Sequence, residues 1–94
     1  MLTEIPLLDS NSEVSELYTM QFCESCKTAI RKLHEAGYEF VIYDVTKIGT
    51  RRVFEVWKHR LGYNPNLVPQ FWHKGQYIGG SPAIDKFLKE NNAS

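Results

Sequence analysis

The chain has no excess of either charge: 11 basic and 11 acidic residues leave a net charge of zero. A nucleic-acid or anionic-lipid partner calls for a cationic excess or a clustered basic stripe, so neither nucleic acid nor membrane is an expected partner. Long apolar runs are missing as well, and none approaches the roughly 20 residues of a membrane span. The opening Met1-Leu2-Thr3-Glu4-Ile5-Pro6 lacks the basic and continuous apolar regions of a secretory signal. A cytoplasmic location is the expectation. No internal repeat or low-complexity segment is visible, and the length suits one domain and not two. Cysteine is scarce, with 2 in 94 residues. Structural zinc wants four ligands, and His34, His59 and His73 are scattered without the H-x₃₋₅-H spacing that would supply them. No metal site is expected.

The two cysteines that are present stand together as Cys23-Glu24-Ser25-Cys26, where a strand pattern gives way to a helix pattern. Val14 to Thr19 reads as a strand, and Ala29, Ile30 and Leu33 share a helical face. Cys23 therefore falls at or just before the first turn of a helix. The unpaired N–H groups and dipole of that helix end favour a thiolate, the reactive form of cysteine. Cys26, one turn later, faces its partner and can close a disulfide with it. In a cytoplasmic protein a close pair of this kind is more often catalytic than a structural staple, and beside a βαβ pattern it reads as a redox motif.

The remaining order follows from periodicity and turn residues. Residues 1–12 form an N-terminal extension, separated from the domain by the turn-rich Asp9-Ser10-Asn11-Ser12, and 13–94 form the domain. Gly37 ends the first helix, and the aromatic and β-branched Tyr38 to Val45 is a buried strand. Thr46 caps a second helix whose Phe54, Trp57 and Leu61 share a face, ending at Gly62. Gln70-Phe71-Trp72 and Gln76-Tyr77-Ile78 form a hairpin around His73-Lys74-Gly75. Ser81 caps the last helix, with Pro82 in its first position and Ile84, Phe87 and Leu88 as its apolar stripe. The expected fold is α/β, β-α-β-α-β-β-α, a four-stranded mixed sheet flanked by helices. The first two strands are parallel with a right-handed crossover.

Three blocks together resemble the glutaredoxins of the thioredoxin fold. Tyr18-Thr19-Met20-Gln21-Phe22-Cys23-Glu24-Ser25-Cys26 is similar to the family's strand, loop and C-P-Y-C site, Val68-Pro69-Gln70-Phe71 to its T-V-P-Q segment, and Tyr77-Ile78-Gly79-Gly80 to its H-I-G-G segment. The resemblance implies a glutathione-dependent thiol–disulfide oxidoreductase. Cys23 would be the nucleophile and Cys26 the resolving thiol. Pro69 would be cis, although only about one X-Pro bond in twenty is. Val68 would offer its backbone to glutathione's cysteine, and Gly80 and Ser81 would receive the γ-glutamyl carboxylate. Tyr18, Phe22 and Glu24 would belong to the active-site loop, with Phe22 an apolar contact for a substrate.

The resemblance further implies a monomer with no tightly bound cofactor. Glutathione would be the reductant, and protein disulfides, ribonucleotide reductase among them, the substrates. Four departures from the family pattern stand out. Met20, Gln21 and Phe22 hold the place of a lysine, Glu24 that of a proline, Leu67 that of a threonine, and Pro82 that of an aspartate. Lys47, Arg51 or Arg52 at the second helix would restore cationic charge near the ligand. These departures keep two alternatives in view: a thioredoxin-like hydrogen donor reduced by a flavoenzyme, and a carrier of a glutathione-ligated [2Fe–2S] cluster.

Overall fold

The computed structural model describes residues 13–91, so the proposed extension over residues 1–12 lies outside the described residues. The elements run β1 (Glu16–Thr19), α1 (Glu24–Glu35), β2 (Val41–Asp44), α2 (Val45–Ile48), α3 (Thr50–Leu61), β3 (Gln70–His73), β4 (Gln76–Gly79) and α4 (Ser81–Asn91). The four strands form one mixed sheet in the order β2-β1-β3-β4. β1 and β2 are parallel, with Glu16 opposite Val41 and Thr19 opposite Asp44. β1–β3 and β3–β4 are antiparallel. Among the described residues no helix is long and apolar enough to cross a membrane.

Side chains alternate across a strand, and that alternation divides the core in two. Leu17 and Phe71 face α1 and α4, where they pack with Ala29, Leu33 and Ile84. Tyr18 and Trp72 face the other way and pack with Tyr43, Val45, Val53 and Trp57 on the side of α3. α1 buries Cys26, Ala29 and Leu33, a stripe at helical spacing.

Five local details differ from the sequence reading. The strand expected over Tyr38–Val45 is confined to Val41–Asp44: its last residue, Asp44, is still paired with Thr19 but also caps α2, which takes up Val45. Its Oδ1 accepts from the N–H groups of Thr46 and Lys47 at 3.0 and 3.2 Å, taking the role expected of Thr46. Gly49, at φ 122°, then splits the expected second helix into α2 and α3. His73 ends β3, and the turn is Lys74-Gly75 with φ of 47° and 86°, the positive pair that a tight two-residue hairpin demands. At α4 the Ile84 N–H donates to the Gly80 carbonyl at 2.9 Å, so Gly80 is the cap, Ser81 the first residue and Pro82 the second. Pro82 still occupies a position whose N–H has no helical partner.

Candidate dithiol active site

Strand directions gather the sequence blocks at one end of the sheet. β1 runs toward Thr19, and its Tyr18 pairs with Gln70, the first residue of the antiparallel β3. Phe71 in turn pairs with Gly79, the last residue of β4. The loop to Cys23, the Val68-Pro69 segment and Gly80-Ser81 therefore all leave the sheet at the same edge. So does Asp44 with the helix it caps, since β2 is parallel to β1.

Cys23 is the N-cap of α1, with extended backbone at φ −104° and ψ 102°. Its Sγ accepts the Cys26 N–H at 3.2 Å, and its carbonyl accepts from Lys27 at 3.2 Å. The sulfur thus occupies the place where a helix end binds negative charge. Cys23 and Cys26 form a disulfide with a Cα–Cα separation of 5.2 Å, inside the range that a bridge requires. The two positions differ in access. Cys26 is the first residue of the buried stripe of α1 and is 1% exposed, whereas Cys23 is partly open to solvent.

Around the pair, Glu24 lies in the first turn of α1 and its carboxylate is 3.6 Å from the Lys27 ammonium, both groups well exposed. Ser25 Oγ is 3.5 Å from Cys23 Sγ. Phe22, at φ 61°, turns the chain sharply into the helix and leaves its ring 93% exposed. A cavity of about 330 Å³ lies against the disulfide, lined by Met20, Gln21, Phe22, Cys26, Lys27 and Ile30 among others.

The Val68–Pro69 bond is cis. Pro69 is buried, and its carbonyl lies only 3.4 Å from where a Cβ on Gly80 would stand. Gly79 has φ 126°, and a Cβ there would come within 2.8 Å of the Ala83 Cβ, so glycine is required. Ser81 and Ser25 line a common cavity of about 190 Å³ between α1 and α4, which joins the start of the last helix to the dithiol loop. Buried Gln70 accepts a 2.5 Å hydrogen bond from the Tyr77 hydroxyl. The Tyr77 pKa is pushed up to about 12, first by burial and then by Tyr63 beside it.

Tyr18 does not belong to the loop. It lies in β1, fully buried, with its ring against Tyr43, Trp57 and Trp72. Burial, then the charge of Glu16, drives its pKa far above the ordinary tyrosine value. Lys47, Arg51 and Arg52 are solvent-exposed. Among the described residues no group of three or more His, Cys, Asp or Glu is placed to hold a metal ion. The sequence reading passed over two features. One is Ser25, whose place two residues after an N-cap is the available signal. The other is the buried Glu16–Arg60 pair, which has no local signal.

No curated protein sequence is significantly similar to the chain. Several solved structures share its fold. The holo form of glutaredoxin C1 from Populus tremula x tremuloides is 17% identical, with 88% of this chain and 74% of that one covered at a TM-score of 0.72. A buckwheat glutaredoxin–glutathione complex is 15% identical, with 90% and 74% covered at 0.72. Reduced Escherichia coli glutaredoxin is 21% identical, with 85% and 98% covered at 0.62. The glutaredoxin family pattern itself matches residues 16–78, from the first residue of β1 into β4. With that match, and with a C-x-x-C pair whose first sulfur caps a helix, the chain belongs to the glutaredoxin family of thiol–disulfide oxidoreductases.

Proposed function

We propose that the chain is a glutathione-dependent dithiol oxidoreductase that reduces protein disulfides or glutathione mixed disulfides. The observation that carries this reading is the asymmetry of the pair: a partly open Cys23 at the helix cap and a buried Cys26 one turn behind it. Cys23 thiolate attacks one sulfur of a substrate disulfide, forming a mixed disulfide and expelling the other sulfur as a thiolate. Cys26, on losing its proton, attacks Cys23 Sγ. The enzyme disulfide closes and the second substrate thiolate leaves. Two glutathione thiols then supply two electrons, restoring the dithiol and leaving as glutathione disulfide.

Val68, Pro69, Gly80 and Ser81 are the residues assigned to glutathione. The cis Val68–Pro69 segment presents backbone beside Gly80, and the first turn of α4 offers unpaired N–H groups to a carboxylate. A buckwheat relative of the same fold is known in complex with glutathione. The test is coupled turnover on a disulfide substrate. NADPH oxidation through glutathione and glutathione reductase is the expected result, and turnover only with thioredoxin reductase would refute glutathione dependence.

A second reading, a donor fed directly by a flavoenzyme, is favoured by Pro82. This residue removes one N–H donor from the first turn of α4 and has no carboxylate for an amine. The same assay separates the two.

A further inference from the structure

Ser25 stands in the first turn of α1, two residues after the cap, and is exposed while Cys26 beside it turns into the core. Its Oγ lies 3.5 Å from Cys23 Sγ. Sulfur is large and diffuse, so this separation is within hydrogen-bonding reach. The other groups at this helix end are engaged elsewhere. Thr28 donates its hydroxyl to the Glu24 carbonyl at 3.1 Å. The Lys27 ammonium faces the Glu24 carboxylate at 3.6 Å. On the far side of the cavity shared by Ser25 and Ser81, Lys32 and Asp85 are paired at 2.8 Å. The two charged pairs nearest Ser25, Glu24–Lys27 and Lys32–Asp85, are thus matched, and the hydrogen-bonding groups that reach Cys23 Sγ among the described residues are the Cys26 N–H and the Ser25 hydroxyl.

Against a disulfide sulfur a hydroxyl contributes little. Reduction changes that. A thiolate carries no proton and can only accept, so the Ser25 hydroxyl must act as the donor. A hydrogen bond to an ionised acceptor is about twice as strong as a neutral one. The interaction therefore strengthens as negative charge develops on Cys23, and it acts against the carboxylate that Glu24 places in the same turn. We propose that Ser25 is a thiolate-stabilising residue of this site, its hydroxyl donating to reduced Cys23 Sγ alongside the Cys26 amide. The inference rests on the reading of Cys23 as the nucleophile.

The experiment uses the Cys26→Ser chain, in which Cys23 is the one thiol left to titrate, and adds Ser25→Ala or Ser25→Thr. Thiolate absorbance is followed against pH, and iodoacetamide alkylation is timed at pH 6. Ser25→Ala is expected to raise the Cys23 pKa and to slow alkylation about threefold or more. Ser25→Thr keeps the hydroxyl and is expected to stay nearer the parent. An unchanged pKa in Ser25→Ala, or an equal loss in both variants, overturns the proposal. Turnover of the unsubstituted chain tests the oxidoreductase reading separately. An active chain with a Ser25-independent pKa would sink this inference alone, and an inactive chain with a Ser25-dependent pKa would sink the function alone.

Discussion

Arg60 of α3 grips Glu16 of β1 through two parallel contacts, Nη1 to Oε1 at 2.7 Å and Nη2 to Oε2 at 3.2 Å, with both side chains wholly shielded from water. The Tyr18 hydroxyl also donates to Glu16 Oε2, at 3.4 Å, and the guanidinium sits 5.1 Å from the centre of the Trp72 ring. Two charges removed from water offset their desolvation only while they face each other. Removing one partner of such a pair typically costs about 3–5 kcal/mol. Arg60→Met should therefore lower stability by about that amount, a large share of a small domain's total. The double variant Glu16→Leu/Arg60→Met should recover most of the loss, because no lone charge remains. Urea midpoints for the three chains decide the matter, and a single variant as stable as the parent would contradict it.

The difference in access between the two cysteines predicts a division of labour. Cys23→Ser should abolish disulfide reduction. Cys26→Ser should accumulate a mixed disulfide with a protein substrate and still turn over glutathionylated ones, since the first attack needs only Cys23. Alkylation of the reduced parent near neutral pH, followed by mass mapping, should label Cys23 first. Preferential labelling of Cys26 would reverse the assignment.

Phe22 combines a left-handed backbone with an almost fully exposed ring. For a residue with a Cβ that backbone costs roughly 1–2 kcal/mol, and no burial of the ring offsets it. A surface aromatic at that cost beside the reactive sulfur fits a contact made with a substrate protein. Phe22→Gly should leave stability equal or raised by about 1 kcal/mol. It should slow reduction of a folded protein disulfide several-fold while sparing a small dialkyl disulfide. Parallel loss on both substrates would rule out a docking role.

Glu24 should raise the Cys23 pKa modestly through its charge, with Lys27 at 3.6 Å and the surrounding water both weakening the effect. Glu24→Gln is expected to lower that pKa at low salt, and the difference should shrink as salt is added. No change at low salt would show that the carboxylate does not act on the sulfur.

His73 packs its ring against Phe87, Tyr38 and Phe71 and places Nδ1 3.3 Å from Ser15 Oγ. Burial, and then the charge of Lys74, hold its pKa below the ordinary histidine value of 6.5. The folded state therefore favours the neutral ring, and the unfolded chain binds the extra proton first. The stability linked to this residue is complete above about pH 6.5 and is lost as pH falls through that value toward the folded pKa. His73→Phe keeps a ring and removes the titration. Its urea midpoint should fall less between pH 7.5 and pH 5.5 than that of the parent, and equal falls would refute the assignment.

The strands, the start of α1 and the hairpin were legible because each has a local cause: alternation, an apolar stripe, turn residues. Asp44 was not legible as a cap, since it is embedded in the strand-like run Tyr38–Val45, and it is its place as the last ladder pair, opposite Thr19, that lets its side chain cap the following turn. Tyr18 falls within the strand pattern Val14–Thr19 and was assigned to the active-site loop only by the resemblance; in β1 its ring points into the core. Glu16 and Arg60, 44 positions apart, carry no local signal that they meet, and it is the packing of α3 on the sheet that pairs them. The cis bond at Val68–Pro69 lies beyond any propensity argument and was expected only from the resemblance. Ser25 was visible, but its role depends on a distance that the order of residues does not contain.

The sulfur that exchanges electrons is also the cap of α1. A thiolate is a better acceptor than a disulfide sulfur, so the first turn of the helix is held more firmly when the pair is reduced. The Cys26 amide thereby becomes a meter of oxidation state, with slower deuterium exchange expected in the dithiol than in the disulfide. The relation also runs backwards. Any change that tightens this turn around the thiolate makes the disulfide easier to reduce, and any change that frays it makes the dithiol a stronger donor. At Cys23, helix stability and electron affinity are two readings of one free energy.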